Sequence, residues 1–256
     1  MTEREVANTK LDLLAIGAHP DDVELGCGGT LAALAAAGRR CGILHLTRGE
    51  AGTRGRPEER EAEAREAAAA LGAVAVDFLN CGDGSLRCGE PEEEALISKL
   101  RQWRPEIVLG PAPVDRHPDH GRAHALVAAA AFYSGLARRG RGEPHRPAAV
   151  YAYMQHDLFE PRFVVDVSSV WERKLAALVA YHSQLHQQST DQHRSREEPA
   201  TKVSSPEFRA AIEGRARHFG QLIGAEFGEP FWSRGPLAVG DVSMLAPGKL
   251  APGGLR

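Results

Sequence analysis

Leu11-Asp12-Leu13-Leu14-Ala15-Ile16-Gly17-Ala18-His19-Pro20-Asp21-Asp22-Val23-Glu24-Leu25-Gly26-Cys27-Gly28-Gly29-Thr30 is the stretch that decides the fold. Its first part is an apolar run with the length of a buried strand, and its last part is rich in glycine. Between them one imidazole and two carboxylates, His19, Asp21 and Asp22, fall within four residues. A strand that ends on polar side chains and passes through a glycine-rich turn into a helix is how open α/β sheets present chemistry.

Outward from that stretch the alternation continues. Leu11 to Ala18 is a strand, Thr30 to Ala37 an alanine-rich helix stopped by Gly38, and Cys41 to Thr47 a second strand. The loop Arg48 to Arg56 is rich in glycine and arginine, and Pro57 then opens a helical run to Ala70 that Gly72 closes. Val74 to Leu79, Glu90 to Trp103, Ile107 to Leu109 and Asp119 to Ser134 give strand, helix, strand and helix. This predicts an α/β chain, a Rossmann-like three-layer sandwich with a mostly parallel sheet. In the usual 3-2-1-4 strand order, strands one and four are neighbours and their carboxyl ends form the topological switch point.

The pattern then loosens. Val150 to Met154 and Phe163 to Asp166 are strands and Val170 to Tyr181 a helix, followed by a long polar stretch, Gln184 to Lys202, of the kind that forms a lid or substrate loop. Ser205 to Leu222 is helical, with Ser205 as N-cap and Pro206 at the first helical position. From Pro230 onward glycine and proline predict an irregular tail. The expected organisation is one domain over residues 1–256, with irregular ends at 1–10 and about 236–256.

The formal net charge of -3 excludes general attraction to nucleic acid or an anionic membrane. Arg138, Arg139, Arg141 and Arg146 make one local basic cluster, most simply a solvated loop. Cys27, Cys41, Cys81 and Cys88 show neither CxxC spacing nor a secreted disulfide pattern. The start Met-Thr-Glu-Arg-Glu has no signal-peptide core, and no apolar run approaches 18 residues. A reduced, soluble, cytoplasmic protein is expected, without nucleic-acid or membrane partners.

A metal ion is the most economical reason for the His19/Asp22 pair: one short turn can aim both at one cation, and nitrogen plus oxygen donors suit zinc or ferrous iron. Asp115-Arg116-His117-Pro118-Asp119-His120, after the apolar Ile107-Val108-Leu109, repeats His-Pro-Asp and can supply a third ligand. Plainer readings exist. Asp21, Asp22 or Asp119 could cap helices, and Arg60 could be a solvated charge among Glu58, Glu59, Glu61 and Glu63. His182 and His186 lack the Glu of a His-Glu-x-x-His pair. Two rivals of other classes are a methyltransferase holding S-adenosylmethionine on the glycines, and a metal-bound sugar-binding protein without catalysis. In the first, the strand should run straight into the glycines, whereas here it stops at Ala18; Asp21 and His117, an available base and acid, count against the second.

His19-Pro20-Asp21-Asp22 with His117-Pro118-Asp119-His120 resembles the zinc-dependent N-acetylglucosaminyl deacetylases of the LmbE/PIG-L type. Leu46 to Gly55, Asp115 to Gly121, the Arg-Ala-Arg-His-Phe-Gly run at 215–220 and Gly228-Glu229-Pro230-Phe231 resemble the bacillithiol-biosynthesis branch, so the likeness spans nearly residues 11–235. The resemblance implies that His19, Asp22 and His120 hold Zn2+, with Fe2+ as the alternative in the cell. It makes Asp21 the general base and His117 the group that stabilises the oxyanion or protonates the amine, oriented by Asp119. It gives Arg60 a substrate-holding role and implies a homo-oligomer. The substrate would be a small sugar conjugate, N-acetylglucosaminyl-malate in this branch, whose carboxylates need an arginine: Arg54, Arg56 or, preferred, Arg146. A general N-acetylglucosamine or chitooligosaccharide deacetylase and a mycothiol-type conjugate amidase are the alternatives. Lys202 stands where relatives are expected to carry an aromatic residue in Thr-x-x-Ser-Ser-Pro.

Overall fold

The structure is a computed structural model, and it describes residues 10–184 and 205–238. Seven strands form one sheet in the order β3-β2-β1-β4-β5-β7-β6. These are β1 (Leu13–Gly17), β2 (Cys41–His45), β3 (Ala75–Phe78), β4 (Ile107–Pro111), β5 (Ala149–Tyr153), β6 (Phe163–Asp166) and β7 (Gly228–Trp232). The first five pair in parallel, with Leu13 opposite both Cys41 and Ile107; β7 runs antiparallel between β5 and β6. The usual 3-2-1-4 order is the observed one.

Among the described residues, six helices cover the sheet: α1 (Asp22–Ala36), α2 (Pro57–Leu71), α3 (Glu90–Trp103), α4 (Pro118–Tyr133), α5 (Trp171–Val179) and α6 (Pro206–Ile223), with a 3-10 turn at Ser168–Val170 before α5. Alternate residues of β1 face opposite sides, which produces two cores. Leu13 and Ala15 pack with Leu31, Ala67, Leu71, Leu178 and Ile212 under α1, α2, α5 and α6. Leu14 and Ile16 pack with Leu100, Trp103, Leu126 and Val127 under α3 and α4. This is the three-layer sandwich.

Local signals explain most boundaries. Gly72 ends α2 at φ 82°, and the Ser205 hydroxyl accepts from the Phe208 amide at 3.2 Å as the N-cap of α6. Two expectations fail. The glycine-rich segment is not a turn: α1 begins at Asp22 and runs through Gly26, Gly28 and Gly29, with one non-helical residue at Cys27. Its glycines answer to crowding, since a Cβ on Gly26 would overlap the Tyr153 ring. Nor is the chain irregular from Pro230, because Gly228–Trp232 is β7. Pro230 is tolerated there because the β5 ladder covers only Phe231 and Trp232. The polar stretch at 185–202, with His186 and Lys202, and the ends at 1–9 and 239–256 lie outside the described residues.

Candidate metal and hydrolytic site

The carboxyl ends of the parallel strands build the site. His19 follows β1 directly, and Gly17 makes that exit possible, because a Cβ there would stand 2.9 Å from the His19 carbonyl oxygen. Asp21 is the N-cap residue of α1 and holds φ 98°, ψ -24°, a left-handed conformation unusual for a side-chain-bearing residue. Asp22 opens α1. Beyond β4, His117 is the N-cap of α4 and His120 lies in its first turn. Asp83 comes from the loop after β3, and Gln155 and His156 follow β5.

The expected ligands converge. Asp22 Oδ1 lies 3.3 Å from His120 Nε2, and Asp22 Oδ2 lies 3.5 Å from His19 Nδ1. The far nitrogen of each histidine is held by a carboxylate: His19 Nε2 lies 3.1 Å from Asp83 and 3.3 Å from Asp119, and His120 Nδ1 lies 2.9 Å from Asp115. Such carboxylate–histidine pairs fix the tautomer that leaves the other nitrogen open to a cation. Gln155 Nε2 donates to Asp22 Oδ1 at 2.5 Å. His19, His117 and His120 also bring ring nitrogens within 4.8 Å of one another, which is metal-ligand spacing. The donor set therefore fits a divalent cation bound by nitrogen and oxygen.

Charge explains the titration of the group. Burial lowers the His120 pKa, yet the carboxylates of Asp22 and Asp115 outweigh it and bring it to about 9. Burial likewise lowers His19, and its contacts with Asp119, Asp22 and Asp83 carry it well above the usual value. Burial would raise Asp22, but the two histidines hold it well below the carboxylate range. For Asp21 the same two histidines weigh less than burial. Burial pushes it up to about 7 against the opposing charge of Arg60, and the neighbouring Asp22 adds to the rise. His117 is lowered, by burial first and then by the charges of His19 and His120.

These residues line a cleft of about 260 Å³ with His19, Asp21, Asp22, Arg60, His117 and His120 on its walls. Arg60, 5 % exposed, reaches the cleft and donates to the carbonyls of Pro20 at 2.8 Å and Gly49 at 3.3 Å. Asp119 is fully buried behind His19. The expectation that its side chain orients His117 is corrected: the carboxylate contacts His19, Leu86 and Arg122, and the Asp119 amide donates to His117 Nδ1 at 3.2 Å. Arg54 and Arg56 are not on the cleft wall; the Arg54 carbonyl accepts from Gln184, which is. Arg146 is also corrected. It precedes β5 at the amino end of the sheet, lies over the Phe132 ring at 4.5 Å and donates to the Phe132 carbonyl. Besides Arg60, the cleft wall carries Arg116, beside His117.

Sequence reasoning missed Arg116, Asp115, Asp83, Gln155 and His156. Asp115 and Arg116 stood inside the second motif, and Gln155 and His156 follow a strand of the parallel set, so the carboxyl-end rule could have found them. Asp83 carried no local signal.

Fold and cleft together define an α/β protein with a His/Asp cluster of metal-ligand spacing at a topological switch point. The chain belongs to the PIG-L family of deacetylases. The family model described as "PIG-L: GlcNAc-PI de-N-acetylase" matches residues 14–131. The diacetylchitobiose deacetylase of Thermococcus kodakarensis is 33 % identical over 196 residues, 70 % of this chain and 72 % of that protein. The 1D-myo-inositol 2-acetamido-2-deoxy-alpha-D-glucopyranoside deacetylase of Kineococcus radiotolerans is 32 % identical over 186 residues, 56 % of this chain and 52 % of that one. The 4-oxalmesaconate hydratase of Pseudomonas putida is 28 % identical over 203 residues, 72 % of this chain and 78 % of that protein. Among solved structures, a conserved protein of Thermus thermophilus superposes with a TM-score of 0.80 at 39 % identity, over 90 % of this chain and 97 % of that one. Among the described residues, no helix is long and apolar enough to cross a membrane.

Proposed function

We propose that this protein hydrolyses the N-acetyl group of N-acetylglucosamine conjugates, using a zinc or ferrous ion held by His19, Asp22 and His120. The carrying observation is the buried Asp21, raised to about 7, directly beside that converged ligand set. When bound, the ion supplies Lewis acidity, lowering the pKa of a water to about 7 and polarising a carbonyl.

The chain's own groups do the rest. Asp21, as a carboxylate, takes a proton from the attacking water, and a base near pH 7 is matched to that task. His117 is neutral at that pH, and its Nδ1 accepts the Asp119 amide, so the proton sits on Nε2. It donates that N–H to the oxygen on which negative charge develops. When the C–N bond breaks, Asp21 returns its proton to the leaving nitrogen, giving acetate and a free amine. Arg60 holds the Pro20 carbonyl and keeps positive charge near Asp21.

N-acetylglucosaminyl-malate is the substrate we assign within this class. A dicarboxylate aglycone requires a guanidinium, and Arg116 on the cleft wall meets that need. The single-domain organisation and a homo-oligomeric state belong to the same proposal, and sedimentation velocity of the full chain checks the latter. The substrate test is acetate release from N-acetylglucosaminyl-malate beside free N-acetylglucosamine. Arg116→Met should raise KM for the malate conjugate about tenfold and leave the free sugar unaffected. Equal release from both sugars would remove malate. Absence of acetate, with hydration of 4-oxalmesaconate instead, would place the chain beside its hydratase relative.

A further inference from the structure

Helix α1 is broken, and both sides of the break are held from outside. Cys27, at φ -145° and ψ 19°, divides it into a short first segment that starts at Asp22 and a longer second one. Such a break leaves carbonyls orphaned before it and amides orphaned after it. The Leu25 carbonyl accepts from Lys174 Nζ at 3.0 Å. The Gly29 and Thr30 amides donate to Glu229 Oε1 and Oε2 at 2.9 and 2.7 Å, and the Thr30 hydroxyl donates at 2.6 Å. Lys174 and Glu229 pair with each other at 2.6 Å, each 2 % exposed. One ion pair, drawn from α5 and β7, thus satisfies both faces of the break.

Neighbouring side chains keep the break in place. The Tyr153 ring packs against Gly26, and its hydroxyl donates to the Ile16 carbonyl at the end of β1 at 3.0 Å. A Cβ on Gly29 would stand 2.8 Å from Val167. A segment this short cannot hold its own direction. What it carries at its start are Asp21 and Asp22.

We propose that Lys174 and Glu229 are positioning residues that aim Asp21 and Asp22 through the broken helix; the kinetic part of this inference rests on the deacetylase reading. Replacing a buried ion pair by apolar side chains on both sides often preserves stability, whereas removing one partner strands a charge. The double variant Lys174→Met/Glu229→Met therefore separates aim from stability. Its melting temperature should exceed that of either single variant. Its kcat should stay at least about tenfold below wild type with KM within about threefold, and its Zn2+ affinity, read by chelator competition, should fall about tenfold. Wild-type kcat and Zn2+ affinity in the double variant would overturn the proposal and leave the pair a stabilising contact.

Should the double variant fail to fold, Thr30→Val removes only the hydroxyl bond to Glu229. It should lower kcat and Zn2+ affinity by about two- to fivefold, and unchanged values would overturn the proposal. Wild-type protein that binds Zn2+ but releases no acetate contradicts the deacetylase reading alone, because the affinities still decide the aim. If it binds neither, the crystal position of Asp22 relative to His120 in the double variant decides. A shift of about 1 Å supports the inference and an unmoved carboxylate overturns it.

Discussion

Asp21 is where position and charge meet. Its left-handed backbone and its burial both cost free energy, and the burial, with Asp22 beside it, raises the carboxyl to about 7. Asp21→Asn should lower acetate release by about 10²- to 10⁴-fold while Zn2+ binding persists, as measured by turnover and metal content. In the proposed role Asp21 works deprotonated, so activity should fall as pH drops through about 7 or somewhat below, since the cation also favours the carboxylate. Arg60 opposes the rise in Asp21, so Arg60→Met should move the acid limb of the pH–rate profile to higher pH. Movement to lower pH would contradict that coupling. Asp115→Asn frees His120 Nδ1 and should weaken Zn2+ binding about 10- to 100-fold in a chelator competition. The residues proposed as ligands were legible because two His-Pro-Asp motifs repeat. Of the carboxylates that hold their far nitrogens, Asp115 and Asp119 stand inside the second motif, whereas Asp83 reaches His19 only through the fold, and a lone Asp in a loop carries no pattern.

Elements were legible where local chemistry sets them. Ser205-Pro206 announced α6, and the structure shows the cap as read. The glycines of α1 were misread because glycine has two physical uses, freedom of φ and absence of a Cβ, and sequence alone does not say which applies. Side chains distant in the chain decide it, the Tyr153 ring at Gly26 and Val167 at Gly29. Gly26→Ala should therefore destabilise by about 1–3 kcal/mol through overpacking, read by calorimetry. Pairing it with Tyr153→Leu should recover part of that loss; strict additivity would show that ring and glycine do not compete for space. β7 was missed for a related reason. Pro230 signals irregular chain, and only the short β5 ladder reveals why a strand accepts it.

At the scale of the molecule, alternating strands and helices foretold the parallel sheet, and the usual 3-2-1-4 order, which the structure adopts, brings the two motifs together. The antiparallel β7–β6 edge was not foretold, since it depends on a strand returning from beyond α6. The two cores are apolar and independent of the cation, so chelation should abolish turnover and leave the far-ultraviolet helical signal intact. Stability should also depend on Glu24, fully buried and raised by burial to about 8 from an ordinary 4.5. The folded state holds that proton where the unfolded chain has lost it, so this contribution is present below about 4.5 and declines as pH rises towards 8. Glu24→Gln should flatten the decline in melting temperature over that window, and an unchanged slope would contradict it. The most direct test of the whole account is product analysis with N-acetylglucosaminyl-malate, using metal-stripped enzyme, the same enzyme reloaded with Zn2+, and loaded Asp21→Asn. The account predicts acetate and free amine in equal amounts from the reloaded wild type and almost none from the other two. Zn2+ bound at the site with no acetate released from this or any other N-acetylglucosamine conjugate would contradict it.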